Sequence, residues 1–361
     1  MPPRAYAALM RTPVRHLGAY GGSGRTARGP AGNARSARGG GNTSEPRAGC
    51  AVMSVTRAGR SAVTSDPRVL RYAAFSDDPA GGNPAGVVPD AAGLDDAAML
   101  GIAAELGYSE TAFLTPPPKR LADGSGRSFT IRYFSPLAEV SFCGHATIAT
   151  AVALAERIGP GELVFATPAG VVPVAVESAD GVLRATLTSV EPVVREAAPA
   201  DLDEALAALR WDRADLDPAL PPRIAFAGAH HLVLAAATRE RLADLDYDFD
   251  RLAALMRRLD LTTLHLVWRE PGEGEGDGGH VFHVRDPFPV GGVVEDPATG
   301  AAAAAFGAYV RALGLVSPPA TLTLHQGHDL GRPGLLTVEL RPGDPRSHVS
   351  GTATVIPDNA I

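Results

Sequence analysis

The sequence predicts an α+β fold of two pseudo-symmetric lobes, each a curved, mostly antiparallel sheet around one central helix. Three observations carry this expectation. From residue 69 onward, short runs of alternating apolar and polar residues bounded by turn residues are interleaved with helical stretches. Two Ala-rich runs, opening near Gly144 and Gly300, have the composition of helices enclosed by other structure. Each run follows a strand, a proline break and a short link. A shift of 153 positions superposes Phe129 on Phe282, Ile131 on Val284, Arg132 on Arg285 and Pro136 on Pro289. The same shift sets Cys143 on Asp296 and Gly144 on Pro297. A repeated supersecondary unit constrains architecture, and here it points the two helix N-termini at one shared cleft.

The chain of 361 residues is long enough for two lobes and a substantial core. Hydrophobic residues make up 45% and charged residues 20%, the balance of a soluble globular protein. No run approaches the roughly 20 apolar residues of a membrane-spanning helix, so no membrane partner is expected. The first 65 residues carry ten arginines and Glu45 as their one acid, a net +9 against −7 for the whole chain. The remainder is therefore strongly acidic, which argues against nucleic acid as a partner. Cys50 lies in the basic leader, which leaves Cys143 alone in the body. An intrachain disulfide there is excluded, and a cytoplasmic location fits.

In chain order, residues 1–67 are rich in Gly, Ala, Arg, Ser and Pro without hydrophobic period. They read as a disordered leader that carries no function, with Met53 a candidate start. A first lobe is expected over 68–187 and a second over 188–347, with a strand at about 348–357 returning to the first. Residues 69–75 read as a strand, 77–82 as a turn cluster, and 83–88 as a turn into a second strand. Asp95 caps an amphipathic helix that runs through Leu106 and closes at Gly107. A strand over 108–114 has Glu110 near its start. The strand from Phe129 breaks at Pro136, and a link with Glu139 and Ser141 leads into the first Ala-rich helix. Two strands over 165–176 turn at Gly170. The second half reads as helices near 201–210 and 247–259 and strands at 224–226, 231–235, 322–325 and 335–340.

Three segments concentrate the chemistry: Ser109-Glu110-Thr111, Cys143-Gly144-His145-Ala146-Thr147 and Glu295-Asp296-Pro297-Ala298-Thr299-Gly300. They combine carboxylates, an imidazole and two helix starts, whose free N–H groups and dipole suit an anion. Apolar walls would raise a carboxylate toward working pH, as general acid–base chemistry needs. Locally, Asp296 before Pro297 has the look of a helix N-cap. The ten histidines show no ligand spacing on one element, so no metal is expected. No Gly-x-Ser-x-Gly elbow and no dinucleotide glycine fingerprint occur.

Further stretches join these three in order: Gly82-Asn83-Pro84-Ala85-Gly86-Val87, Phe134-Ser135-Pro136 with Glu139, Gln326-Gly327, Gly331-Arg332-Pro333 and Ser350-Gly351-Thr352-Ala353. Together, from about Arg71 to Ile356, they resemble the PhzF phenazine-biosynthesis family within the diaminopimelate-epimerase-like fold. The resemblance implies a homodimeric, cofactor-free isomerase with its site between two lobes. The phenazine enzyme moves a proton along the ring of trans-2,3-dihydro-3-hydroxyanthranilate. By resemblance, Glu110 is the acid–base residue, with His145 and Asp296 beside it. Gly144, Ala146, Thr147, Gly300, Ala301, Asn83 and Ser109 are then expected to bind a small carboxylate substrate. The chain departs from the family at Ala301 and Gly334, where many members have serine.

Two other readings stand beside this one. A two-base racemase or epimerase of an amino or hydroxy acid uses one thiol per lobe; here a second thiol is absent, and Cys143 reads as a small buried residue. A non-catalytic metabolite-binding protein would need the helix starts but not the additional acids.

Overall fold

The structure is a computed structural model and describes residues 68–271 and 280–357. The leader expected to be disordered lies outside these residues. No helix among them is long and apolar enough to cross a membrane.

The first lobe is built on strands Leu70–Ala74, Asn83–Val88, Glu110–Thr115, Ser128–Phe134, Gly161–Thr167, Gly170–Ala179 and Val182–Thr188. Successive neighbours pair antiparallel, parallel, antiparallel, parallel, antiparallel and antiparallel. The second lobe uses Arg223–Phe226, His230–Ala235, Thr263–Arg269, His280–Pro287, Ala320–Gln326, Gly334–Leu340 and Ser347–Gly351 in the same series of pairings. The two sheets join where Ser347–Gly351 pairs antiparallel with Val182–Thr188, and Ala353–Val355 then pairs with Leu70–Ala74. The pseudo-symmetry expected from the repeat is thus a symmetry of strand pairing, in a mixed α+β fold.

Each sheet encloses one Ala-rich helix, Gly144–Ile158 in the first lobe and Gly300–Ala312 in the second. His145 through Ala155 are all buried, as are Ala302 through Val310. Small side chains on every face let the strands approach from all sides, which explains the alanine content. An outer layer of helices Pro199–Leu209, Arg239–Ala243 and Phe249–Leu259 covers the second sheet through Leu206, Leu242, Leu252 and Met256. Helix Asp96–Leu106 does the same for the first through Met99 and Ala103. Its ends follow the sequence: the Asp95 side chain accepts from Ala98 N, and Gly107 closes it at φ 66°.

The 153-position register needs one correction. It holds through the strands but not through the links. The second link is three residues longer and includes a turn at Pro289–Gly291. Cys143 is the N-cap of the first central helix and Thr299 that of the second, so Gly144 corresponds to Gly300, at a shift of 156. Asp296 is therefore neither the counterpart of Cys143 nor an N-cap. It lies three residues earlier in the two-residue strand Glu295–Asp296, paired with Asp286 and Pro287. Matching Arg–Glu pairs confirm the alignment: Arg132 holds Glu139 and Arg285 holds Glu295, each through Nε and Nη2.

Phe75 is the pivot between the lobes. It has φ 63°, rare for a non-glycine residue, and is fully buried. Phe75 N donates to Thr352 O and Leu335 N donates to Phe75 O, which pins the backbone. A β-carbon added at Gly351 would fall 2.2 Å from Phe75 Cδ1. The ring has no room to yield, so Gly351→Ala is expected to cost about 1–3 kcal/mol by overpacking, measured by urea denaturation.

Candidate active site

The two central helices meet N-terminus to N-terminus. A β-carbon at Gly144 would lie 3.8 Å from both Ala301 N and Gly300 Cα. Each helix start leaves backbone N–H groups without helical acceptors, and the two positive dipole ends add at this junction. Not all of these groups are free. Thr147 N donates to Cys143 O. The Thr147 hydroxyl donates to Cys143 O at 2.6 Å and contacts Tyr133 OH at 2.6 Å. Thr147 therefore secures the cap from a fully buried position.

Glu110 opens the strand Glu110–Thr115, whose parallel partner is Asn83–Val88. Its carboxylate Oε2 lies 3.6 Å from His145 Nε2 and accepts from the Cys143 thiol at 3.6 Å. Cys143 Sγ is also 3.3 Å from His145 Nδ1, and Ser109 Oγ is 3.3 Å from His145 Nε2. Burial pushes the Glu110 carboxyl above the usual range, while hydrogen bonds from Ser109 and Cys143 pull it down. Burial pushes His145 down to about 3, so the imidazole is neutral at physiological pH. Burial likewise pushes the Cys143 thiol up, reinforced by the Glu110 charge.

Asp296 completes the group from the second lobe. Asn83 Nδ2 donates to its Oδ1 at 2.9 Å, and Thr299 Oγ1 donates to its Oδ2 at 2.5 Å. Burial raises its carboxyl to about 8, helped by the Glu110 and Asp286 charges and opposed by Thr299 and Asn83. Two carboxyls, both raised by burial, and a neutral imidazole thus share one buried site. Asn83 is fully buried and also donates to Ala298 O. In this position Asn83 holds Asp296.

Sequence reasoning missed Thr299 and Gln326. Gln326 Oε1 accepts from Thr299 N, and its Nε2 donates to Asp296 O. The Gln326-Gly327 pair was visible as a motif, and the second residue has a clear reason. Gly327 turns at φ 77°, where a β-carbon would sit 2.3 Å from Arg332 O and 2.7 Å from Pro297 O. The sequence also did not reveal that the thiol touches both Glu110 and His145. These three donor atoms lie within 4.8 Å of one another and are the group among the described residues able to hold a metal ion. A raised thiol that donates its proton to Glu110 is poorly disposed toward that role, since metals bind the thiolate.

An α+β enzyme of two lobes, with carboxyls and an imidazole gathered where the two central helices meet, is the class that this fold and site define. The chain belongs to the PhzC-PhzF family, described as phenazine biosynthesis-like proteins, whose profile matches residues 72–358. It is 32% identical to the uncharacterized isomerase YddE of Escherichia coli K12, over 80% of this chain and 96% of the relative. An uncharacterized isomerase of Deinococcus radiodurans is 34% identical over 76% and 86%. Among solved structures, a Bacillus anthracis phenazine biosynthesis protein of the PhzF family superposes with TM-score 0.69 at 25% identity, covering 80% of this chain and 96% of that one. A predicted epimerase from Pseudomonas aeruginosa gives 0.67 at 28%, covering 81% and 97%. A probable proline racemase from Agrobacterium radiobacter K84 shares the fold, at TM-score 0.52 and 14% identity over 79% and 90%. The protein is an isomerase of this family.

Proposed function

We propose that the protein is a cofactor-independent isomerase that moves a proton within a small carboxylate-bearing metabolite, with Glu110 as the single acid–base residue. A cyclic diene such as trans-2,3-dihydro-3-hydroxyanthranilate fits the chemistry. The observation that carries this reading is a desolvated carboxyl beside a neutral imidazole at two opposed helix starts. Backbone N–H groups at Gly144, Gly300 and Ala301 hold the substrate carboxylate and its delocalised charge. Glu110 removes a proton from one carbon and returns it to another on the same face. His145 and protonated Asp296 orient the ring substituents, and Ser109 steadies Glu110. Ala301 offers this carboxylate an N–H but no hydroxyl.

A thiol-based racemase is disfavoured by the raised, proton-donating Cys143 and by Thr299 at the matching cap. We further assign a homodimer in the cytosol, which sedimentation and fractionation test; the family resemblance and the sole described thiol support these assignments.

Substrate screening combined with pH profiles tests the reading. Activity rises as Glu110 ionises, above the ordinary carboxylate value of about 4.3. It falls again as Asp296 loses its proton near pH 8. The same group has a stability consequence. Its folded value lies above the unfolded one of 3.8, so its contribution is complete below that pH and is lost as pH rises toward 8. A flat profile through this window would count against both assignments.

A further inference from the structure

Behind Asp296 lies a second polar group that the proposed proton transfer does not use. His265 and Asp286 are both fully buried, with Nδ1 2.7 Å from Oδ1. The other oxygen of Asp286 accepts from Gln326 Nε2 at 3.1 Å. Gln326 in turn is 3.0 Å from Thr299 Oγ1, the hydroxyl that donates to Asp296. A continuous buried path therefore runs His265, Asp286, Gln326, Thr299, Asp296. It spans strands Thr263–Arg269, His280–Pro287 and Ala320–Gln326 and ends at the cap of the second central helix. Asp286 is also the direct cross-strand partner of Asp296. The imidazole packs on Phe306 of that helix, with ring centroids 5.3 Å apart. Its Nε2 is buried with no hydrogen-bond partner among the described residues.

Stability alone is a poor reason for this group. Replacing both partners of a buried hydrogen-bonded pair by apolar groups of the same shape is often nearly neutral or stabilising. The pair instead sits where two opposing influences on Asp296 originate. Through Gln326 it fixes Thr299, whose hydrogen bond favours the carboxylate form of Asp296. Across the strand pair, the Asp286 charge favours the protonated form.

We propose that His265, Asp286 and Gln326 are positioning residues for Asp296, holding its carboxyl between a fixed hydroxyl donor and a buried like charge. The proposal rests on Asp296 belonging to the acid–base cluster, and its test uses ligand-free protein so that it can fail separately. The other groups that act on Asp296 are Glu110, Cys143 and the Asn83 amide, and they are left unchanged.

Protein labelled with [γ-13C]aspartate is titrated by NMR, with the Asp296 signal assigned by its loss in Asp296→Asn. The wild-type midpoint is expected near 8. Asp286→Asn removes the like charge, and the midpoint falls by on the order of one unit, as expected for buried charges at an effective dielectric constant near 20. Gln326→Met releases Thr299, and the midpoint rises. Opposite shifts in two variants with native near-ultraviolet circular dichroism support the positioning role. Unchanged midpoints, or shifts in one direction, overturn it. Should Asp286→Asn fail to fold, Gln326→Met decides alone: a rise supports the proposal and any other result overturns it. Failure of Glu110→Gln to lose turnover would instead refute the isomerase mechanism and leave this coupling standing.

Discussion

Glu110→Gln is expected to lose at least about a thousand-fold in kcat, within the roughly 10²- to 10⁴-fold range that a positioned acid–base group supplies. Glutamine keeps the shape and can still accept from Ser109 and Cys143, so the fold and ligand affinity should change little. A loss of this size corresponds to about 4 kcal/mol of transition-state stabilisation. Urea denaturation and isothermal titration with a substrate-like carboxylate check that only the chemical step is lost. Full activity in this variant would remove Glu110 from the mechanism.

The largest effect on stability is expected at Arg285. Its guanidinium holds Glu295 by two bonds and donates to Ala243 O at 2.6 Å, tying the second sheet to its outer helices. The Glu295 side chain is 1% exposed. Arg285→Met leaves that carboxylate buried and unpaired, at a cost of roughly 3–5 kcal/mol. Arg132 makes the same pair with Glu139 in the first lobe, where the two side chains are 26% and 34% exposed. Arg132→Met is accordingly expected to cost about 1 kcal/mol or less, the ordinary value of a surface pair. Denaturation midpoints of the two variants measure this contrast. Equal losses would show that burial is not what separates the symmetric pairs.

What could be read in advance followed the range of the interactions. Local signals were legible: the Asp95 cap, the Gly107 stop, the Gly170 turn and the breaks at Pro136 and Pro289 each act within a few residues. The repeat was legible through its strands because Arg132 and Arg285 occupy equivalent register positions. It misled beyond them, because the longer second link moves the cap from Asp296 to Thr299 without changing the Ala-rich composition that follows. Asp296 before Pro297 imitates a cap. Only the pairing with Asp286 and the bond from Asn83, 213 positions away, place it in a buried strand beside the start of the second central helix. The contacts of Cys143 with Glu110 and His145 depend on how a cap meets a neighbouring strand, which no local pattern encodes.

One carboxylate, and not the thiol beside it, is expected to move the proton. Wild type, Glu110→Gln and Cys143→Ser are incubated in D2O with a panel of cyclic diene carboxylates and chiral amino and hydroxy acids. Mass spectrometry then follows isomerisation and carbon-bound deuterium. The expected result is isomerisation of a diene carboxylate by wild type and Cys143→Ser, with none by Glu110→Gln. Exchange at the α-carbon of a chiral acid that survives Glu110→Gln and disappears in Cys143→Ser would contradict it.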